Sequence, residues 1–219
     1  MTTFRERIQG AFAEGVPIAI DTGARGHYEH RLEAAAAFPQ MEVMRDRARR
    51  IRAEVIADLD VHLRRFADSV IRNGGSVFFA ADAAEANEYI VNLAREEGVT
   101  RAVKVKSMLT EEIRLNDALA AAGVEAVETD LGEFIVQLAG ERPSHIIAPV
   151  LHKDRYQIGK LFAEKLGVDY TDDPGTLNDI ARTYLRNRFL TAEMGISGAN
   201  FAVAEDGAIA LVTNEGNGR

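Results

Sequence analysis

Residues 101–140, "RAVKVKSMLTEEIRLNDALAAAGVEAVETDLGEFIVQLAG", alternate between two kinds of pattern. "RAVKVK" and "VEAVETD" are short and rich in valine, which is typical of strands, whereas "TEEIRLNDALAAAG" and "LGEFIVQLAG" have the length and periodicity of helices. We expect Thr110 to cap the first of these helices. Strands joined through a helix form a right-handed crossover, so this segment predicts parallel strands.

The flanking sequence continues the alternation of short apolar runs and helices. "SVFFA" and "SHIIAP" are predicted strands, and the predicted helices are "AAEANEYIVNLAREEG", "KDRYQIGKLFAEKLG" and "LNDIARTYLRNRFLTAEM". Near the end, "NFAVAE" and "AIALVTN" flank Asp206-Gly207, a strong two-residue turn signal. The sequence therefore predicts an α/β core domain over residues 74–219, with a mainly parallel sheet flanked by helices and a C-terminal β-hairpin.

Residues 1–73 have a different pattern and are predicted to form a helical N-terminal extension. Apolar side chains recur in steps of three and four from Met44 to Val70, which predicts one long amphipathic helix over residues 42–72. The run "MRDRARRIR" is interpreted as the solvated face of that helix. We expect the extension to cap the core or to contact another subunit, as in a homo-oligomer.

The composition excludes several classes of protein. The chain has no cysteine, so its residues cannot form a disulfide, a catalytic thiolate or a thiolate-bound iron–sulfur cluster. With 26 basic and 34 acidic residues, its net charge of -8 disfavours non-specific nucleic-acid binding. No stretch approaches the roughly 18 apolar residues of a membrane span, and the N-terminus lacks the apolar segment of a signal peptide. We therefore expect a cytoplasmic protein.

Polar residues follow three of the predicted strands at the point where each strand ends. They are Lys106, Ser107, Thr110 and Glu111 after "RAVKV", Asp130 and Glu133 after "VEAVE", and His152 and Lys153 after "SHIIAP". Ligands of open α/β sheets bind at this edge. Lys106, beside a helix N-terminus, is typical of a carboxylate or phosphate site. Ser107, Thr110 and Asp130 have an alternative role as helix caps.

The spacing of the candidate residues identifies no specific chemistry. The sequence contains no P-loop, no dinucleotide-binding glycine pattern after a strand and no hydrolase nucleophile motif. His152 has the chemistry of a general acid or base, but no second histidine lies at close metal-ligand spacing, so no metal site is predicted. The residues alone therefore predict an α/β protein with a polar site at its strand ends.

Two longer segments carry a resemblance to a known family. They are "VKVKSMLTEEIRLNDALAAAGVEAVETDLGEFIVQLAGERPSHIIAPVLHKDR" and "MGISGANFAVAEDGAIALVTNEGNGR", and they resemble the LUD domain of iron–sulfur proteins of lactate utilisation. The resemblance implies a core related to ribose-5-phosphate isomerase, glucosamine-6-phosphate deaminase and coenzyme A transferase. It also implies a part in the oxidation of L-lactate to pyruvate, within a three-component complex of subunits rather than as an independent enzyme.

The resemblance also bears on cofactors and on the end of the chain. In longer members of the family, a C-terminal ferredoxin-like region with cysteines binds [4Fe-4S] clusters. We therefore expect no cofactor in this chain itself and expect electron transfer to belong to a region absent from it. On this interpretation the chain is an excised domain or a truncated product, and residues 214–219 are expected to be poorly held.

The family's recurrent polar positions receive hypothetical roles here. His152 or Glu215 is expected to move a proton, while Lys106 and Lys153 bind a small carboxylate or phosphate. The substrate-binding candidates are Lys106, Ser107, Thr110, Glu111, Asp130, Glu133, Lys153, Asn200, Asn214 and Asn217. One alternative is a stand-alone coenzyme A transferase-like enzyme, with Glu215 as nucleophile, or a sugar-phosphate isomerase-like enzyme. Another is a non-catalytic scaffold that docks other subunits.

Overall fold

The computed structural model describes residues 16–144, 148–213 and 215–218, with residues 16–20 and 22 described by their backbone alone. Its helices are α1 (Val16–Ala36), α2 (Met41–Ala57), α3 (Leu59–Arg72), α4 (Ala83–Glu96), α5 (Met108–Glu112), α6 (Leu115–Ala121), α7 (Leu131–Ala139), α8 (Arg155–Leu166) and α9 (Pro174–Thr191). Its strands are β1 (Arg101–Lys104), β2 (Glu125–Glu128), β3 (Met194–Ile196), β4 (Phe201–Val203) and β5 (Ala208–Ala210). The fold is α/β, as the sequence predicts.

These elements form two compact units, each described by itself. The sheet unit comprises Ala80–Gly198 with the described residues among 16–23 and 213–219. The hairpin unit comprises Ala24–Phe79 and Ala199–Val212. No helix within the described ranges is long and apolar enough to cross a membrane.

The sheet unit is built on three parallel strands in the order β2-β1-β3. Ala102 lies opposite both Ala126 of β2 and Met194 of β3, so β1 is paired on both sides. The sequence predicts β1 and β2 but not β3, because the predicted helix "LNDIARTYLRNRFLTAEM" extends to Met194, whereas the structure ends that helix at Thr191 and begins β3 at Met194.

The strand predicted at "SVFFA" is wrong. Residues 76–80 have no strand pairing to any described residue, and the Phe79 side chain is 62% exposed. An apolar run forms a strand only where a neighbouring strand takes up its backbone hydrogen bonds. Residues 145–147 of the strand predicted at "SHIIAP" lie outside the described residues, and residues 144, 148 and 149 are in no strand.

Helices cover both faces of the sheet and form two hydrophobic cores with it. Ala102 belongs to one core, together with Ala94 of α4 and Leu119 of α6. Val127 belongs to the other, where Phe134 of α7 and Phe162 of α8 pack with ring centroids 6.0 Å apart. Because successive residues of a strand point to opposite faces, this arrangement buries the sheet on both sides.

Two helices predicted as continuous are each divided in the structure. The predicted helix 42–72 is interrupted at Asp58, whose φ of -123° and ψ of 41° are not helical and whose residue type is a weak helix former. The helix predicted at "TEEIRLNDALAAAG" is interrupted at Arg114, which has a left-handed φ of 56°. The predicted cap at Thr110 is wrong, because the Ser107 hydroxyl caps α5 by accepting from the Thr110 N–H at 3.4 Å.

In the hairpin unit, β4 and β5 pair antiparallel with Val203 opposite Ala208. The connection is therefore residues 204–207 rather than the predicted two-residue turn. Gly207 has a φ of +75°, and a Cβ there would lie 2.7 Å from the Ser69 backbone of α3, so only glycine fits. The Ser69 hydroxyl lies 3.1 Å from the Ala204 carbonyl oxygen, which holds this connection on α3.

A buried ion pair joins the ends of β1 and β2. The Lys104 Nζ lies 2.8 Å from a Glu128 carboxylate oxygen, and only 1% of the lysine side chain is exposed. The ammonium also donates to the Thr110 hydroxyl at 3.0 Å, and the Asn116 amide donates to the same Glu128 oxygen at 2.7 Å. Removal of either charge would leave the other unpaired in the interior.

Substitution Lys104→Met is expected to lower the free energy of unfolding by about 3–5 kcal/mol, because the Glu128 carboxylate then stays buried without its counter-charge. Combining it with Glu128→Leu is expected to recover most of that loss, since neither charge remains. Urea unfolding followed by circular dichroism measures both variants.

The matched control is Arg64→Met, because Arg64 and its ion-pair partner Asp60 are 76% and 79% exposed. Its effect is expected to stay within about 0.5 kcal/mol. A Lys104→Met variant as stable as this control, or a double variant no more stable than Lys104→Met, would contradict the role given to the buried pair.

Candidate functional site

Polar side chains gather at the carboxyl ends of β1 and β2. The Lys106 backbone N–H donates to the Asp130 carboxylate at 2.8 Å, and the Lys106 ammonium forms an ion pair with the Glu133 carboxylate. The three residues come from the loops and the helix turn that follow two adjacent parallel strands, which explains their proximity. The structure therefore brings together three of the predicted site residues.

Glu133 is a buried carboxylate in the first turn of α7. Burial raises its pKa above the ordinary value for glutamate, the ion pair with Lys106 opposes this shift, and the neighbouring Asp130 adds to it. An anionic ligand at Lys106 would therefore share the ammonium with Glu133, and a proton taken up by Glu133 would free that ammonium. The anion site at Lys106 stays a prediction.

The predicted residues between β1 and α6 have contacts within the fold. Ser107 caps α5, and its hydroxyl would lie 3.0 Å from a Cβ placed on Gly198, which follows β3. The Thr110 hydroxyl donates to the Ser107 carbonyl oxygen at 2.8 Å and accepts from Lys104. Glu111 is half-buried on the same short helix. Ser107 and Thr110 therefore help to form the start of α5, and their role toward a substrate stays a prediction.

The C-terminal segment adds two predicted residues at the same strand ends. The N–H of Leu131, the first residue of α7, donates to Glu215 Oε2 at 2.9 Å, and the Asn217 amide donates to the Thr129 hydroxyl at 2.9 Å. The Asn217 amide oxygen is buried and has no hydrogen-bond partner in the described part of the chain. Glu215 and Asn217 thus have hydrogen-bond partners at the strand ends, and the expectation that the segment is poorly held stays a prediction.

Glu215 has a perturbed carboxyl group. Although the residue as a whole is exposed, partial burial of the carboxyl group raises its pKa, and repulsion from Asp130 and Glu133 adds to the rise. The hydrogen bond from Leu131 acts in the opposite direction. We refer to Lys106, Asp130, Glu133 and Glu215 as the strand-end cluster. Its two glutamates have a higher proton affinity than glutamates in water.

His152 and Lys153 lie in a second group, which is organised by Glu141. His152 Nε2 lies 2.7 Å from one Glu141 carboxylate oxygen, and Lys153 Nζ lies 2.7 Å from the other. His152 Nδ1 lies 2.8 Å from the Ser144 hydroxyl. Burial alone would raise the pKa of Glu141, but the hydrogen bonds from Lys153 and His152 bring it below the ordinary value. We refer to these four residues as the Glu141 cluster.

Glu141 and Ser144 are absent from the sequence-based prediction. They follow a helix rather than a strand, so the strand-end rule does not select them. The sequence offers one signal near Glu141, the glycine at position 140, which is typical of the end of a helix. In the structure Gly140 has a φ of 68° and ends α7. That signal marks the end of a helix and not a partner for His152.

Gly132, in the first turn of α7, lies where the loop of the Glu141 cluster packs against the helix turn of the strand-end cluster. A Cβ on Gly132 would lie 2.8 Å from the Pro149 ring, so the loop that leads to His152 packs against the turn that carries Glu133. The hydrogen bonds and ion pairs of the described residues include none that joins the two clusters directly. The predicted site residues thus lie in two neighbouring groups rather than in one.

Asn200 has its contacts in the hairpin unit. Its backbone N–H donates to the Ala210 carbonyl oxygen at 3.0 Å, and its side-chain oxygen accepts from the Val212 N–H at 2.7 Å. These bonds support the pairing of β4 and β5, so its role toward a substrate stays a prediction. Asn214 lies outside the described residues.

The side chains of this chain were compared with the ligands that a metal ion or an iron–sulfur cluster needs. Across residues 16–144, 148–213 and 215–218, no three histidine, cysteine, aspartate or glutamate side chains are grouped to hold a metal ion. A [4Fe-4S] cluster needs thiolate ligands, and the chain has no cysteine. The residues of this chain therefore cannot bind the [4Fe-4S] clusters that the resemblance assigns to a C-terminal region of longer family members.

Substitution Glu215→Gln is expected to make stability less dependent on pH. A carboxyl group with a raised pKa in the folded chain contributes stability that is complete below its ordinary pKa and is lost as the pH rises through the raised value. Glutamine keeps an oxygen that accepts the Leu131 hydrogen bond but does not titrate. The free energy of unfolding in urea, measured from about pH 4 to 8, should therefore fall less steeply than in the wild type.

Glu112→Gln is the matched control, because it removes an exposed carboxyl group from the nearby helix α5. If the free energy of unfolding of the two variants differs from that of the wild type by the same amount at every pH, the raised pKa of Glu215 is contradicted.

The sequence is similar to a known family and to longer curated relatives. Residues 63–219 match the family described as the LUD domain. Lactate utilization protein B of Oceanobacillus iheyensis is 46% identical over 216 residues, which are 98% of this chain and 45% of the relative. The protein of the same name from Bacillus cytotoxicus is 44% identical over 210 residues, which are 96% of this chain and 44% of the relative.

The chain thus spans less than half the length of these relatives. No solved structure matches it. The family match covers most of the chain and contains both clusters, and the similarity to the relatives extends over nearly all of it. The chain belongs to the LUD domain family.

Proposed function

We propose that this chain is the N-terminal LUD part of an oxidoreductase subunit of lactate utilisation. It takes part in the oxidation of L-lactate to pyruvate in the cytoplasm, together with other subunits, and [4Fe-4S] clusters of a further C-terminal region accept the electrons. The observation that carries the proposal is the identity of 43–46%, over 96–98% of the chain, to proteins named Lactate utilization protein B. The proposal includes the relation of the core to sugar-phosphate isomerases and coenzyme A transferases.

The reaction defines what the residues of this chain must do. L-Lactate loses two electrons and two protons: the hydroxyl group gives up its proton, the adjacent C–H bond breaks and a carbonyl group forms. The two electrons and the second proton, which comes from the C–H bond, leave to acceptors outside this chain. Its own residues then have to bind the substrate carboxylate, orient the hydroxyl group and take up the hydroxyl proton.

Lys106 is the proposed ligand of the lactate carboxylate. Its side chain is 23% exposed, whereas that of Glu133 beneath it is 5% exposed, so a ligand reaches the ammonium more readily than it reaches the glutamate. The raised pKa of Glu133 supports this role, because a proton on Glu133 makes the Lys106 charge available to lactate. In this arrangement a substrate carboxylate replaces the Glu133 carboxylate as the principal counter-charge.

Glu215 is the proposed acceptor of the hydroxyl proton. Its raised pKa gives the carboxylate a greater proton affinity than an ordinary glutamate has, which favours a general base. Leu131 engages Oε2, so Oε1 is the atom proposed to receive the proton. His152 is the alternative base, because Glu141 orients its imidazole as a carboxylate orients a catalytic histidine.

Substitution Lys106→Met is expected to weaken the binding of L-lactate by about tenfold to a hundredfold, because it removes a charge-assisted hydrogen bond worth about 1.5–3 kcal/mol. Isothermal titration calorimetry measures this change. Lys165→Met is the matched control, since Lys165 is half-exposed on α8 and pairs with Glu164. If Lys153→Met weakens binding and Lys106→Met does not, the ligand binds at the Glu141 cluster instead.

The alternative functions predict different results in the same assays. A docking scaffold predicts no binding of L-lactate, pyruvate or phosphate to the wild type or to any variant. A stand-alone coenzyme A transferase-like or isomerase-like enzyme predicts turnover of an acyl-coenzyme A or a sugar phosphate by this chain, and loss of that turnover in Glu215→Gln. Either result would replace the substrate-binding role proposed here.

A further inference from the structure

Helix α2 has an apolar stripe that the rest of the described chain covers only in part, at Met41 and Val55. None of its 17 residues is buried. Met41, Met44, Ala48, Ile51 and Val55 follow one another in steps of three and four, which places them along one side of the helix. Met44 is 43% exposed and Ile51 is 50% exposed. We call these five residues the α2 seam.

The spacing of the α2 seam is that of a helix-pairing surface. A stripe that repeats in steps of three and four, two residues in every seven, is narrower than the face by which a helix packs on a globular core and is typical of a coiled-coil seam. In proteins, most of the stability of a helix comes from the packing of its apolar face rather than from helix propensity. The seam therefore has the pattern of a surface that a second helix covers.

Arginines flank the α2 seam on both sides. Arg45 and Arg52 occupy the positions beside it on one edge, and Arg47 occupies a flanking position on the other. The helix as a whole has five arginines and three carboxylates, a net charge of +2, in a chain whose net charge is -8. Arg47 and Arg52 form no ion pair with any described residue.

These charges disfavour pairing of the seam with a second copy of itself. Parallel pairing would place Arg47 against Arg52 of the other helix. Antiparallel pairing would place Arg47 against Glu54 of the other helix, which is favourable. It would also place Arg45 against Arg52 of the other helix, and this repulsion cancels the gain. Like charges across such a seam are destabilising, so the complementary partner carries carboxylates at the flanking positions.

We propose that the α2 seam docks an amphipathic helix of a different subunit, whose apolar stripe is flanked by glutamate or aspartate. The apolar side chains bury the seam, and the carboxylates of that helix pair with Arg45, Arg47 and Arg52. This surface is independent of the strand-end cluster and of the reaction proposed for it.

The test uses two labelled synthetic peptides with leucine at both seam positions of every heptad. One has glutamate and the other has lysine at all flanking positions. Fluorescence anisotropy with the whole chain should show saturable binding of the glutamate peptide and at least about tenfold weaker binding of the lysine peptide. Ile51→Asp should abolish binding, and Arg47→Glu with Arg52→Glu should reverse the preference between the peptides.

Arg49→Glu with Arg50→Glu is the matched control, because it changes the net charge equally on the same helix but away from the seam. It should leave the preference unchanged, and circular dichroism checks that every variant is folded. The proposal would be overturned if both peptides bound equally well. It would also be overturned if the Arg47/Arg52 and Arg49/Arg50 double variants lost affinity for the glutamate peptide to the same extent. Binding to anionic lipid vesicles without binding to the glutamate peptide would likewise overturn it, as would a self-association that Ile51→Asp abolishes.

Discussion

In the sheet unit, the buried ion pair between Lys104 and Glu128 joins the ends of β1 and β2. A lysine is stable in the interior only with a counter-charge and hydrogen bonds, and here Glu128 of the next strand and Thr110 of the following helix supply them. The Lys104 carbonyl oxygen also accepts hydrogen bonds from the Thr129 N–H and hydroxyl. The pair therefore fixes the ends of both strands, and the loops that carry the candidate site residues start from those ends.

The strand-end cluster follows from this constraint. Asn217 donates to the Thr129 hydroxyl, so the C-terminal segment that carries Glu215 is held on the same fixed loop. Burial raises the pKa of both Glu133 and Glu215, and the neighbouring Asp130 adds to each rise. An excess of negative charge repels a doubly charged phosphate more strongly than a singly charged carboxylate. This difference supports the proposed binding of a monocarboxylate rather than a phosphate at Lys106.

Local signals made part of the fold predictable from the sequence. Valine-rich runs predict β1 and β2, and glycines with positive φ end α4, α7 and α8 near the predicted positions. Two of the errors arise where a distant partner decides the outcome. "SVFFA" has strand residues but no neighbouring strand, and β3 forms because β1 lies beside it. Likewise, the strand-end rule selects Lys106 and Asp130. The contact between Glu141 and His152 spans a loop, and no local sequence pattern predicts it.

The most direct measurement is an NMR titration with L-lactate in which the nitrogen of each lysine ammonium is observed. Binding at the strand ends predicts that the Lys106 signal shifts and saturates with added L-lactate, while the signal of Lys165, on the surface of α8, stays constant. Replacement of Lys106 by methionine removes this signal and thereby assigns it. An unchanged Lys106 signal at a lactate concentration that saturates the calorimetric signal would contradict the proposed site.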